Sequence, residues 1–114
     1  MLIRIVDNQI LNADIAERFS FANTALKNDS EPLWYFGFHW MNEGTTVLAL
    51  RDQSAEGGKA ILDFIIAAGE AEKKCLDLSP FLLSREEEAD LIREIQSVKR
   101  RIRSGDVVDT ELIN

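Results

Sequence analysis

The sequence predicts an α+β domain: an antiparallel sheet of four to five strands, one buried helix packed on that sheet, and a C-terminal helical arm. Three observations predict it. Short extended patterns separated by turn residues run from residue 2 to residue 51. Apolar residues at helical spacing follow. Between these lies Trp34-Tyr35-Phe36-Gly37-Phe38-His39-Trp40, where five of the nine aromatic residues of the chain fall within seven positions. Strands followed by helices are the pattern of a segregated α+β architecture.

Leu2 to Val6 is rich in isoleucine and valine and reads as a first strand. Asp7-Asn8 tolerates the positive φ of a tight turn, so Gln9-Ile10-Leu11 returns as a second strand. Asn12-Ala13-Asp14 is a further turn signal. From Ile15 to about Leu26 the pattern is again extended, with Phe19 and Phe21 on one face and Arg18 and Ser20 on the other. Polar residues ending in Pro32 form the next loop. The aromatic strand occupies about 33–41, and Thr45 to Arg51 returns against it. A three-residue loop ending in Gly44 sets Trp40 opposite Thr46, Phe38 opposite Leu48 and Phe36 opposite Leu50, which gathers the large apolar side chains on one face.

Ser54 can cap a helix over about 54–68, with Ile61, Phe64, Ile65 and Ala68 on one row and Leu62 and Ile66 on a second. So wide an apolar surface predicts a helix largely buried on the aromatic face. Gly57-Gly58 weakens its start, since glycine costs about 1 kcal/mol relative to alanine inside a helix, and Gly69 is the expected stop. Within residues 70–83, Lys73 to Leu78 reads as a last helical turn or a short edge strand. Pro80 suits the first position of a helix, and a helical arm spans about 80–104. Its clearest start is at Ser84, which forms a capping-box pattern with Glu87. Leu91, Ile95, Val98 and Ile102 then step along one face. Glu86, Glu87, Glu88 and Asp90 sit at the start and Lys99, Arg100, Arg101 and Arg103 at the end, both complementing the helix dipole. The chain is read as a single domain, with 1–78 as the sheet-plus-helix core and 79–114 as a helix and tail packed on that core or on a partner.

The 114 residues carry a net charge of −7, which disfavours nucleic acid and anionic membranes as partners. The longest apolar run, Ala60 to Ala68, is interrupted by Asp63 and is too short to span a bilayer. A single cysteine, Cys75, excludes an intramolecular disulfide and fits a cytoplasmic protein. It is read as an inert, partly buried thiol. His39 is the only histidine, which leaves no histidine-based metal cluster. Gly57-Gly58-Lys59 lacks the spacing of a phosphate-binding loop. No catalytic residue, metal ligand or cofactor is expected. The expected function is a non-enzymatic protein-interaction module, binding a protein partner or a second copy of itself as a homodimer. Its candidate contact residues are Leu91, Ile95, Val98 and Ile102 on the last helix, with Tyr35 and His39 on the open sheet face. One alternative is a small acidic inhibitor or nucleic-acid mimic that blocks a basic site. Another is a ligand-binding or enzymatic domain with a pocket near Tyr35, His39 and Arg51.

Overall fold

The computed structural model describes residues 1–25, 32–41 and 44–104, with side chains to residue 98. In chain order the elements are β1 (Leu2–Arg4), β2 (Ile10–Asn12), β3 (Ala16–Thr24), β4 (Leu33–Trp40), β5 (Thr45–Ala49), α1 (Ala55–Glu70), β6 (Cys75–Asp77) and α2 (Arg85–Ser104). Short 3-10 turns at Ala13–Ile15 and Ser79–Phe81 precede β3 and α2. The class is α+β, but the strands divide into two three-stranded sheets, β2-β1-β6 and β3-β4-β5. This corrects the expected single sheet of four to five strands.

The division has a local cause and a distant one. Asp7 and Asn8 both carry positive φ, 59° and 60°. They close the first hairpin tightly, with Ile3 opposite Leu11. The free edge of β1 is then taken by β6, which arrives after α1 and runs parallel to it, with Ile3 opposite Leu76. A parallel partner needs a long crossover, and α1 lies within this one. Residues 75–77 are thus the edge strand among the expected alternatives. Their alternation buries Leu76 and leaves Cys75 exposed, so Cys75 is not the partly buried thiol that was expected.

In the second sheet Phe19 pairs with Phe38 and Phe21 with Phe36, so the aromatic faces coincide as the alternation predicts. The β4–β5 register differs from expectation by two residues: Phe36 lies opposite Leu48 and Phe38 opposite Thr46. The Trp40 N–H donates to the Gly44 carbonyl at 2.9 Å, and Gly44 takes φ 75°. A two-residue shift leaves every side chain on its predicted face, and so hydrophobic pattern alone does not select between the registers. Thr46 still meets Trp40, accepting a hydrogen bond from the indole Nε1 at 2.8 Å.

Phe36, Phe38, Ile3, Ile5, Leu48, Leu50, Ile61, Leu78 and Leu82 are fully buried in one core between the sheets and α1. The Ser54 hydroxyl caps α1 by accepting the Gly57 N–H. The helix passes the expected stop at Gly69 and ends beyond Glu70, with Glu72 at φ 55°. It is only half covered. Ile61 and Ala68 are buried and Leu62 and Ile65 pack partly on the core, whereas Phe64 and Ile66 are 40% and 58% exposed, so the buried face takes part of each expected row. Pro80 stands in the 3-10 turn rather than in α2.

The glycine pair at the start of α1 permits close packing. A Cβ on Gly58 would lie 2.3 Å from the Phe21 ring, and one on Gly57 would lie 2.3 Å from the Asp52 carbonyl oxygen. Gly58→Ala is expected to lower stability by about 1–3 kcal/mol through overpacking. This is opposite in sign to the helix-propensity gain of ~1 kcal/mol. Thermal or urea unfolding measures it, and a stabilised variant would show that β3 and α1 are not in this contact.

Candidate interaction surface on the reverse face of the sheet

The side of β3-β4-β5 turned away from the main core carries Ser20, Tyr35, Gly37, His39, Val47 and Ala49. Helix α2 begins against one end of this face. Its first turn is held by a reciprocal capping box. The Glu87 N–H donates to the Ser84 hydroxyl and the Ser84 N–H to the Glu87 carboxylate, both at 3.1 Å. Arg51 joins that turn to the sheet, donating to the Leu82 carbonyl at 3.2 Å and to Glu87 at 3.0 Å. The Arg51 guanidinium, then the Ser84 N–H, hold the Glu87 carboxyl below its ordinary pKa. Residues 81–83 lie beside the end of β5. The Leu83 N–H donates to the Ala49 carbonyl and the Arg51 N–H to the Phe81 carbonyl.

A second, smaller core results. Leu33, Tyr35, Ala49 and Leu83 are buried, and Val47, Leu91, Ile92 and Ile95 pack on them. Tyr35 is 4% exposed beneath α2. Burial first, and then the neighbouring Glu88 carboxylate, push its phenol up to about 12. Because the protonated phenol is favoured in the folded state, its contribution is intact below pH 10 and is lost between pH 10 and about 12. Ultraviolet difference titration of this single tyrosine should show ionisation near pH 12 together with loss of structure. Ionisation at pH 10 in the folded protein would contradict the burial.

The apolar stripe of α2 is not docked along its whole length. Leu91 and Ile95 are half-buried against the sheet, whereas Val98 is 38% exposed. Ile102 lies on the last helical turns, where the side chains are outside the described residues.

His39 is half-buried toward the other end of the same face. Its Nε2 is 2.6 Å from the Ser20 hydroxyl and its Nδ1 3.2 Å from the Thr45 hydroxyl, so the ring links all three strands. Gly37 makes room for it, since a Cβ there would stand 3.2 Å from Nε2. A serine hydroxyl within reach of an imidazole is half of a nucleophilic pair. Here, however, the second ring nitrogen meets a hydroxyl rather than a carboxylate, so that partner brings no charge to stabilise an imidazolium. Alternation along β3 already puts Ser20 on this face in the sequence, but not beside His39, and the expected β4–β5 register sets Val47 rather than Thr45 opposite His39.

A cleft of about 280 Å³ lies beside Arg51, lined also by Asp52, Gly57, Ala60, Pro80 and Phe81. Tyr35 and His39 are not among the residues that line it. The Phe81 ring also meets that of Phe64, with centroids 5.3 Å apart and planes tilted by 46°. Among the described residues there is no cluster of three or more His, Cys, Asp or Glu placed to hold a metal ion. No helix among them is long and apolar enough to cross a membrane. Compared with protein families, curated proteins and solved structures, the chain matches none.

Proposed function

We propose that this protein is a non-enzymatic interaction module whose contact surface is the outer flank and distal half of α2, and that it associates with a second copy of itself. The observation that carries this reading is the partial docking of one continuous stripe: Leu91 and Ile95 meet the sheet, and Val98 does not. An exposed valine alone is ordinary surface. An exposed valine that continues a docked stripe on a twenty-residue helix is a surface awaiting a partner. The sheet end at Ser20, His39 and Thr45 lies beyond the small core under α2, at the border of the same surface.

Sedimentation equilibrium tests the reading. The mass should rise with concentration toward that of a dimer, and Val98→Asp should weaken association by roughly tenfold or more. Leu91→Asp and Ile95→Asp are less useful variants, because both residues also hold α2 to its own sheet. A folded wild-type protein that stays monomeric up to high concentration would overturn the reading.

A further inference from the structure

We propose that the cleft beside Arg51 is a binding site separate from the α2 flank, and that it takes one apolar residue of an extended peptide, held by its side chain and an adjoining amide. The shape comes from small residues on α1. Gly57 and Ala60 are three apart and lie on one side of the helix, where they keep the floor of the cleft low. Gly57 is fixed by packing, since a Cβ there would lie 2.3 Å from the Asp52 carbonyl oxygen. Pro80 and Phe81 form a wall that backbone bonds hold in place. The Phe81 N–H donates to the Leu78 carbonyl at 2.9 Å, and the Phe81 carbonyl accepts the Arg51 N–H at 3.0 Å. The cleft therefore stands ready before any ligand arrives. At about 280 Å³ it falls just below the ~300–1,000 Å³ usual for small-molecule pockets, which suits one large side chain rather than a bulky cofactor.

The polar lining selects the class of ligand. Arg51 supplies donors and Asp52 an acceptor. Nη2 of Arg51 is taken by the Leu82 carbonyl and by Glu87, and among the described residues its Nε and Nη1 have no partner. Asp52 gives Oδ1 to the Ser54 hydroxyl, and among the described residues its Oδ2 has no partner. A free carboxylate on Arg51 would meet the Glu87 carboxylate, already 3.0 Å from that guanidinium, so an anion is disfavoured. A lone ammonium would satisfy Asp52 and leave Arg51 unused. A peptide unit carries both an acceptor and a donor with no net charge. Its C=O can accept from Arg51 and its N–H can donate to Asp52, while the apolar side chain beside it covers Ala60, Pro80 and Phe81. Phe64, 40% exposed with its ring 5.3 Å from that of Phe81, extends the apolar surface for a neighbouring residue. This is recognition of an extended segment by main-chain bonds and a side-chain pocket together.

The probe is N-acetyl-L-phenylalanine methylamide, titrated into isotope-labelled protein and followed by amide chemical shifts. Signals of Asp52, Gly57, Ala60 and Phe81 should move, with a dissociation constant on the order of 1 mM for so small a contact. N-acetylglycine methylamide lacks the side chain, and hydrocinnamate carries a carboxylate in place of the amides. Each should bind at least roughly tenfold more weakly. Ala60→Trp fills the cleft from an exposed helix position and should abolish binding, and Ala60→Leu should weaken it with less disturbance. Glu87→Gln keeps a capping-box residue but removes the anion beside Arg51, so it should raise the affinity for hydrocinnamate. Circular dichroism checks that all variants fold. If those signals stay still at roughly ten times that concentration, or binding is unchanged in both Ala60 variants, the site falls. If hydrocinnamate binds the wild-type protein as tightly as the amide, or gains nothing in Glu87→Gln, the ligand class is wrong. Self-association through Val98 is read separately by sedimentation, so neither failure bears on it.

Discussion

Replacing Phe36 by alanine should lower the free energy of unfolding by about 3–5 kcal/mol, the range for emptying a large aromatic site in a packed core. Phe36 is fully buried at the centre of the aromatic strand. It touches the Phe38 ring edge-on at 5.2 Å and stacks with Phe19 at 6.4 Å. The cavity would open on the core face of β4, a strand already paired on both sides, where the backbone has little freedom to collapse. A loss of this size is a large part of the 5–15 kcal/mol typical of a whole domain. Urea unfolding measures it as a lower midpoint with an unchanged slope. Phe64→Ala is the natural comparison. Phe64 is 40% exposed, and a loss as large as that at Phe36 would mean that α1 is buried more deeply than described.

The second large effect is expected at Gln53, a residue that no motif marks. Its side-chain amide behaves like one more residue of a strand. Oε1 accepts the Trp34 N–H at 2.8 Å, and Nε2 donates to the carbonyls of Trp34 and Leu50 at 3.0 and 2.6 Å. These bonds close the end of the β4–β5 pair immediately before α1 begins. Gln53→Leu keeps the bulk and removes all three bonds, leaving partly buried backbone groups without these partners. The expected cost is about 2–4 kcal/mol, counting a net contribution near 1 kcal/mol for each bond. Gln53→Glu is a sharper probe. It keeps an acceptor for Trp34 but turns a carboxylate oxygen toward two carbonyl oxygens. Protonation restores one donor, so this variant should regain stability relative to wild type as the pH falls. A Gln53→Glu protein as stable as wild type at neutral pH would show that the amide is not engaged.

Features whose cause is local were legible in the sequence. Asp7-Asn8 announces its turn because both residue types accept positive φ. Ser84 and Glu87 announce a helix start because their bonds span a single turn. The aromatic strand announces its two faces because alternation has a fixed period. What was not legible depends on distant partners. β6 is three residues long, and only the open edge of β1 makes it a strand. Gly57-Gly58 looked like a defect in a helix until Phe21 and Asp52 stood against it. The β4–β5 register slipped by two because alternation is blind to even shifts. For the candidate surface, the stripe on α2 was visible. The point along it where docking ends was not, since it depends on how far the reverse face extends beneath the helix.

The parallel contact between β1 and β6 bears on the order in which this chain can assemble during synthesis. The hairpin β1–β2 is made well before the third strand of its sheet, which is at Cys75–Asp77, more than seventy residues after β1. The middle sheet has no such wait, because β3, β4 and β5 are consecutive and antiparallel. Closing a long loop is entropically unfavourable until the contacts it enables have formed. Ile3 and Ile5 therefore reach their final surroundings only after Leu76 and Leu78 have emerged. Until then a nascent chain presents the isoleucine-rich surface of β1, which is the kind of segment that chaperones bind.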